Sequence, residues 1–199
     1  MRVGIVGAGA IGRAIAKHLG AAGVETLIST SRAAEALTAV ARELGPTVKP
    51  VPRIEAARAE VVIVAVRWEH HEAALSDLPG WQGRILIDAM NPIVPPGFTV
   101  APLKNQTSSE LIAQRAQGAR IVKAFNTLPP IILGASPQVA GGRRAVVLSG
   151  DDADAKQVVG RLIERLGFAA IDLGTLVAGG RLQQFPGGVF AGLNLIRVG

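Results

Sequence analysis

Short apolar runs alternate with helix-like segments along most of the chain. Nearly every position in the runs is apolar, as in RVGIVG (2–7) and EVVIVAV (60–66). Between the runs, apolar residues recur at helical spacing, as in AIGRAIAKHLGAAG (10–23) and ADAKQVVGRLIERLG (153–167). Strands that are apolar on both sides and separated by helices are typical of a mainly parallel sheet with helices on both faces. The pattern therefore predicts an α/β chain of the doubly wound, Rossmann type.

The same pattern gives the bounds of the predicted elements. The predicted strands are residues 2–7, 25–30, 60–66, 84–90, 120–126, 144–150 and 169–174. The predicted helices are residues 10–23, 33–45, 53–59, 70–78, 108–118 and 153–167. We expect a serine cap with Glu110 in the first turn of the helix at 108, and an acidic cap in GDDADA (150–155). Residues 1–199 are expected to form a single domain, in which residues about 175–199 are a substrate-side C-terminal segment with a loop and a frayed helix.

Composition excludes several classes of protein. The chain has 199 residues, no cysteine, three histidines and a net charge of +6. The lack of cysteine excludes disulfides and thiolate sites, and the histidines offer no ligand spacing for zinc, so no metal site is predicted. The arginines are scattered without interleaved aromatic residues, which argues against a nucleic-acid partner. The longest apolar run, VVIVAV (61–66), is far too short to cross a bilayer, so we expect a cytoplasmic protein with no membrane partner.

A glycine-rich motif follows the first predicted strand. Gly7, Gly9 and Gly12 form G-x-G-x-x-G between a strand and a helix, which is the context that dinucleotide binding requires. The loop and the helix N-terminus would hold a pyrophosphate through backbone N–H groups. The predicted pyrophosphate-binding residues are Gly7, Ala8, Gly9, Ala10, Ile11 and Gly12. The alternative is a plain packing turn.

The second predicted strand ends without an acidic residue. NAD-binding sites place a carboxylate here to hold the ribose 2′-hydroxyl, whereas this chain reads Thr30-Ser31-Arg32. A serine hydroxyl and an arginine suit a 2′-phosphate, which a carboxylate would repel. The sequence therefore predicts NADP(H) as the cofactor, held by Ser31 and Arg32. The alternative is an ordinary helix cap at Ser31 with Arg32 in solvent.

Several motifs together resemble the NADPH:F420 oxidoreductase family, which has a related domain in membrane metalloreductases. The motifs are MRVGIVGAGAIG (1–12), SR (31–32), VRWEH (66–70), DAMNP (88–92), SSELIA (108–113), VKAFNTLPP (122–130), SGDDADAKQVV (149–159) and LNLIR (193–197). The resemblance implies hydride transfer between NADPH and a flat second cofactor, coenzyme F420 or a flavin. It also implies a homodimer.

The resemblance also implies roles for residues beyond the glycine loop. Ala65, Val66 and Arg67 would end the third strand against the cofactor, and the loops at Asn91 and Asn126 would flank the nicotinamide and the acceptor. The chain departs from the family pattern at two of these positions. The family carries proline where Arg67 stands and histidine where Asn126 stands.

No obvious catalytic acid stands out, and none is predicted. His70 and His71 open a predicted helix and are expected to face solvent, while Lys123 is expected at an edge or surface. Asp88 is expected to accept loop N–H bonds. The small-molecule redox substrate that the resemblance implies, a deazaflavin or flavin-like acceptor, fits this lack, because such an acceptor needs no protein acid. Two alternatives stay open: a non-catalytic NADP(H) sensor, and a reductase of a small imine or carbonyl compound, which would need a proton donor.

Overall fold

The computed structural model describes residues 1–198, and its strands and helices alternate largely as the sequence predicts. The strands are β1 (Val3–Val6), β2 (Thr26–Ser29), β3 (Val48–Pro50), β4 (Val61–Val64), β5 (Ile85–Asp88), β6 (Ile93–Val94), β7 (Thr99–Val100), β8 (Arg120–Ala124), β9 (Gln138–Val139), β10 (Gly142–Gly150), β11 (Ala169–Asp172) and β12 (Ile196–Val198). The helices are α1 (Ala10–Ala21), α2 (Thr38–Leu44), α3 (Arg53–Ala56), α4 (His71–Leu75), α5 (Ser108–Arg115), α6 (Pro130–Leu133), α7 (Ala153–Arg165) and α8 (Leu176–Gln183). Short 3₁₀ turns at Ala34–Leu37 and Trp68–His70 lead into α2 and α4.

The main sheet has the strand order β11-β10-β8-β5-β4-β1-β2-β3. The six strands from β3 to β8 in this order run parallel to one another. The chain first builds outward from β1 to β3 and then crosses back to place β4 on the other side of β1. This reversal creates a crevice at the carboxyl ends of β1 and β4, where open α/β sheets bind their ligands. The predicted doubly wound Rossmann-type fold is confirmed.

Strand β4 shows why the apolar runs have no polar alternation. Val61 and Ile63 belong to the core on one face of the sheet, which α1, α2, α6 and α7 cover. Val62 and Val64 belong to the core on the other face, beneath α4, α5 and α8. A strand that is covered on both faces buries every side chain. Apolar residues are therefore needed at every position, and polar residues do not alternate with them. Within residues 1–198, no helix is long and apolar enough to span a membrane.

The structure differs from the sequence prediction mainly at one edge of the sheet. Strand β10 runs antiparallel to β8, and β11 runs parallel to β10. The start of β10 pairs with β9 on one side and β12 on the other. Residues 196–198 are thus a strand, and the frayed helix expected near the C-terminus is wrong for them. The helix in the 175–199 segment is α8, which comes before the loop; Gly199 lies outside the described residues.

Helix caps show one confirmation and one correction. Asp152 accepts the N–H of Ala155 at the start of α7, as the acidic cap predicts. At α5 the cap is Thr107, not the following serine: its hydroxyl accepts the N–H of Glu110, whose carboxylate accepts the N–H of Thr107. The spacing Thr-x-x-Glu is the signature of this reciprocal capping box. The sequence therefore contained the signal for the correct cap.

A buried histidine ties α1 to the rest of the core on its face. The Nε2 atom of His18 lies 2.7 Å from the carbonyl oxygen of Leu133, and the ring packs edge-on against Phe168. Burial lowers the pKa of His18 below its ordinary value, although the Leu133 carbonyl partly opposes the shift. The folded protein therefore favours the neutral ring, with its hydrogen on Nε2 so that it donates to Leu133.

This burial predicts a loss of stability in mild acid. The unfolded chain takes up a proton at His18 as the pH falls through about 6.5, whereas the folded chain resists it, so protonation favours unfolding. We expect the difference in Tm between the wild type and His18→Gln to shrink between about pH 7.5 and pH 5.5. The exposed His70→Gln variant is the control. A wild-type and His18→Gln difference that is constant across this range would contradict the assignment.

Candidate functional site

A cleft of about 1300 Å³ lies at the carboxyl ends of β2, β1, β4 and β5. It occupies the crevice where the order of strands reverses, so it is built from the segments that follow neighbouring strands. The lining residues are 6–11, Arg13, 29–32, Ala36, Leu37, Arg53, 65–67, His70, Ala73, Ala74, 89–91 and Ile93. Eleven of the thirteen predicted site residues line it; Gly12 and Asn126 do not.

The glycine loop forms one wall of the cleft. Gly7 has a φ of 112°, a conformation that side chains disfavour. A Cβ at Gly12 would lie 2.0 Å from the carbonyl oxygen of Gly7, so Gly12 allows α1 to pack against the loop. Gly9 caps α1, and a Cβ there would meet nothing within 4 Å. The first N–H groups of α1 have no helical partners and can bind an anion at the cleft.

Basic side chains surround the cleft. Ser31 and Arg32 follow β2 and are exposed at its rim, as predicted. Sequence reasoning missed Arg13, on the first turn of α1, and Arg53, whose guanidinium donates to the carbonyl oxygens of Ala74 and Ser76. Arg13 could have been found from its place one residue after the glycine motif. No aspartate or glutamate is among the lining residues in the described part of the chain.

The end of β4 contributes Ala65, Val66 and Arg67 to the cleft. The Arg67 side chain is largely exposed and lies 3.4 Å from Glu69. The same carboxylate oxygen lies 3.6 Å from Nε2 of His70, a lining residue that was not among the predicted site residues. The charge of Arg67, an exposed lining residue, is therefore partly balanced by Glu69.

Asn91 and Asn126 follow the neighbouring strands β5 and β8. Asn91 is half-buried and lines the cleft, while Asn126 is buried behind it. Two hydrogen bonds join them: Asn91 Nδ2 donates to the backbone oxygen of Asn126, and Asn126 Nδ2 donates to Asn91 Oδ1. The two predicted residues are thus brought together, but only Asn91 faces the cleft.

Comparison with known proteins agrees with this architecture. Residues 2–92 match the family described as NADP oxidoreductase, coenzyme F420-dependent. A hypothetical protein from Sinorhizobium meliloti is 41% identical, with a TM-score of 0.94 and coverage of 99% of this chain and 96% of that one. A protein from Arthrobacter sp. FB24, whose name proposes an F420-dependent NADP-reductase, is 29% identical to this chain. Its crystal structure has a TM-score of 0.75, and the match covers 87% of this chain and 85% of that one.

The chain therefore resembles the F420-dependent NADP oxidoreductase family over residues 2–92. It is also 28% identical over 187 residues to the metalloreductase STEAP3 of Rattus norvegicus. This match covers 93% of this chain and 36% of that protein. The chain therefore spans about a third of the length of the curated relatives that it matches. The family match contains the glycine loop, the end of β2, the end of β4 and Asn91.

Of the four titratable residues that sequence analysis considered as acids, only His70 lines the cleft. His70 is exposed, as expected, but His71 is buried: its ring stacks on Trp68, and Nδ1 contacts the backbone oxygen of Trp68. The expectation that Lys123 lies at an edge or surface is wrong. Lys123 is fully buried on the central strand β8 and is paired with Asp88 at 3.2 Å. Asp88 does accept the loop N–H of Met90, as expected.

Two glycines of the loop should respond differently to alanine. Gly12→Ala places a Cβ against the Gly7 carbonyl, so it should destabilise the fold by about 1–3 kcal/mol. Gly9→Ala has open space, so Tm should be unchanged, while NADPH binding should weaken roughly tenfold or more because the new methyl group occupies the approach to the loop. Thermal denaturation and titration of NADPH fluorescence measure the two effects.

The control for this pair is Gly80→Ala, which also has open space but lies outside the cleft. It should change neither Tm nor NADPH binding. If Gly9→Ala bound NADPH as tightly as Gly80→Ala does, the glycine loop would not be the pyrophosphate site.

Proposed function

We propose that the cleft binds NADP(H) and that the chain transfers a hydride between its nicotinamide and coenzyme F420 or a related flavin-like acceptor. One observation carries the cofactor half of this proposal. The cleft is lined by four arginines (Arg13, Arg32, Arg53 and Arg67), and its described lining residues include no carboxylate. A cofactor with three phosphate groups suits such a surface, whereas NAD-binding sites use an acidic residue at the end of the second strand.

The position of Arg32 supports a 2′-phosphate as its ligand. Ser31 and Arg32 lie just after the end of β2, which pairs with β1, the strand that the glycine loop follows. Both side chains are exposed at the rim, so binding an anion there requires no rearrangement of the core. The guanidinium can donate two parallel hydrogen bonds to phosphate oxygens, and the hydroxyl can donate a third.

The glycine loop fits the pyrophosphate between the two nucleotides. The open space at Gly9 allows an anion to approach the backbone, and the N-terminus of α1 directs N–H groups toward it. Arg13 lies on the same turn, where its Nε donates to the backbone oxygen of Ala8. This bond leaves the remaining guanidinium N–H groups of Arg13 available at the cleft.

The surroundings of Asn91 support an acceptor that needs no proton from a protein acid. Asp88 and Lys123, both fully buried, are paired with each other beneath the loop and do not line the cleft. NADPH supplies a hydride, and a flat acceptor stacked on the nicotinamide requires positioning and exclusion of water. Reduction of a carbonyl or imine would require a proton donor, for which the cleft offers His70.

The acceptor half of the proposal draws on the family. The matched family is described as coenzyme F420-dependent, and the Arthrobacter protein's name proposes the same cofactor. The metalloreductase relatives are longer proteins, of which this chain matches about a third. Coenzyme F420 is therefore the acceptor to test first, with FMN and FAD as its flavin counterparts.

The direct test mixes the purified protein with NADPH and oxidised F420 and follows the loss of deazaflavin absorbance. We expect reduction of F420 that depends on protein concentration and slows in the Gly9→Ala variant. NADPH binding is measured in parallel by its fluorescence. Parallel reactions contain FMN, FAD or a small cyclic imine in place of F420.

The outcomes of this test separate the alternatives. NADPH binding without turnover of any acceptor would favour a sensor. Turnover of the imine alone, abolished by His70→Gln, would favour an imine reductase. Failure to bind NADPH would overturn the cofactor half of the proposal.

The Arg32→Ala variant tests the recognition of the 2′-phosphate. Loss of charge-assisted hydrogen bonds should lower kcat/KM for NADPH roughly 10- to 100-fold and leave kcat/KM for NADH nearly unchanged. Steady-state kinetics with both cofactors measures the ratio. Arg42→Ala is the matched control, because Arg42 is exposed on the next helix and does not line the cleft. A retained preference for NADPH in Arg32→Ala would refute the role of this arginine.

A further inference from the structure

Three side-chain amides are joined behind the cleft. Asn126 Nδ2 donates to Asn91 Oδ1 at 2.9 Å and to the backbone oxygen of Gln183 at 2.7 Å. Gln183 Nε2 donates to Asn126 Oδ1 at 2.9 Å. Gln183 is the last residue of α8 and is fully buried, whereas Asn91 reaches the cleft. The C-terminal segment is thus connected to the cleft through Asn126.

Backbone groups fix which way the amides point. Phe185 N–H can only donate, and it donates to Asn91 at 3.1 Å, so the facing atom of Asn91 is its oxygen. The backbone oxygen of Asn126 can only accept, so the other side of the Asn91 amide is its nitrogen. The backbone oxygen of Gln183 fixes Asn126 in the same way. A flip of either asparagine would oppose two donors or two acceptors.

One N–H of the Asn91 side chain is left without a hydrogen-bond partner among the described residues. Asn91 Oδ1 already accepts two hydrogen bonds, from Asn126 and from Phe185. Asn91 Nδ2 uses one of its two hydrogens for the backbone oxygen of Asn126, at 2.8 Å. The second Nδ2 hydrogen has no partner among the described residues. Asn91 can therefore offer a ligand a single donor and no acceptor.

Gln183 shows that this arrangement has a cost. Its Oε1 atom is buried and has no hydrogen-bond partner among residues 1–198. A buried polar atom without a partner is unfavourable, and an apolar side chain of similar size would avoid the penalty. The amide is explained if its contribution is the hydrogen bond to Asn126 Oδ1, which adds to the backbone contact and holds Asn126 in place against Asn91.

The position of Asn91 identifies the part of the ligand that it faces. Arg32 follows β2, and Asn91 follows β5, with β1 and β4 between them. Three strand spacings of about 4.8 Å separate these ends by about 14 Å. A dinucleotide with its 2′-phosphate at Arg32 and its pyrophosphate at the glycine loop has its nicotinamide half at the Asn91 end.

We propose that Asn91 donates its free N–H to an oxygen of the nicotinamide half and that Asn126 and Gln183 are positioning residues for this bond. The proposal rests on the proposed binding of NADP(H). Gln183 acts through Asn126 and does not contact the ligand. A donor without an acceptor favours a carbonyl or hydroxyl oxygen over an amide N–H group, so it fixes the orientation of a carboxamide.

The test compares NADPH with 2′,5′-ADP, which contains the phosphate end and lacks the nicotinamide. Gln183→Met keeps the volume and removes the orienting amide together with its unpartnered oxygen. We expect roughly 3- to 10-fold weaker NADPH binding by titration calorimetry, with 2′,5′-ADP binding unchanged within about twofold. Gln184→Met is the matched control, because the side chain of Gln184 makes no hydrogen bond in the described structure, and it should change neither affinity.

A double-mutant cycle provides the second measurement. Asn91→Leu should weaken NADPH binding by a similar factor, and adding Gln183→Met should cause no further loss, because both changes remove the same bond. Additive losses, equal losses for both ligands, or unchanged NADPH affinity in Gln183→Met would overturn the positioning role. Failure of the wild type to bind either ligand would instead overturn the proposed function, and the inference with it.

Discussion

A lysine and an aspartate form an ion pair in the middle of the sheet, with both side chains fully buried. The ammonium group of Lys123 donates to Asp88, to the backbone oxygen of Met90 and to the hydroxyl of Ser108. Asp88 in turn accepts hydrogen bonds from the Ser109 hydroxyl and from Met90 N–H. Removing one partner of such a pair costs about 3–5 kcal/mol, because the other charge stays buried without compensation. The pair is satisfied on all sides, and it holds both backbone groups of Met90, from which the chain enters the cleft.

The ion pair also sets the relation between the two asparagines. Asp88 and Lys123 are directly opposite each other in the parallel pairing of β5 with β8. Asn91 and Asn126 each follow three residues later, one after each strand. A slip of one residue in this pairing would separate the charges and move the two amides out of reach of each other. The register that buries the charges is therefore the register that builds the cleft, so the stability of the sheet and the geometry of the site depend on the same contact.

The sequence alone predicted the features that depend on short stretches of consecutive residues. The glycine loop, the apolar strands and the basic end of β2 each lie within a few consecutive residues, and the fold followed from them. The burial of Lys123 was missed because its partner Asp88 lies 35 residues away, and a lone lysine in a strand is more often exposed. The reversed direction of β10 was missed because a run of apolar residues has the same pattern in either direction. Gln183 was missed because nothing local distinguishes it from Gln184 beside it.

The two ends of the cleft differ in the kind of interaction they offer. Positively charged side chains line the end near Arg32, and a bound anion would offset the repulsion between them. The end near Asn91 presents a neutral amide. The buried charges of Asp88 and Lys123 are paired with each other beneath the loop and do not line the cleft. The neutral end is therefore suited to orienting a ligand, which is what the proposed transfer of a hydride between two stacked rings requires of a protein.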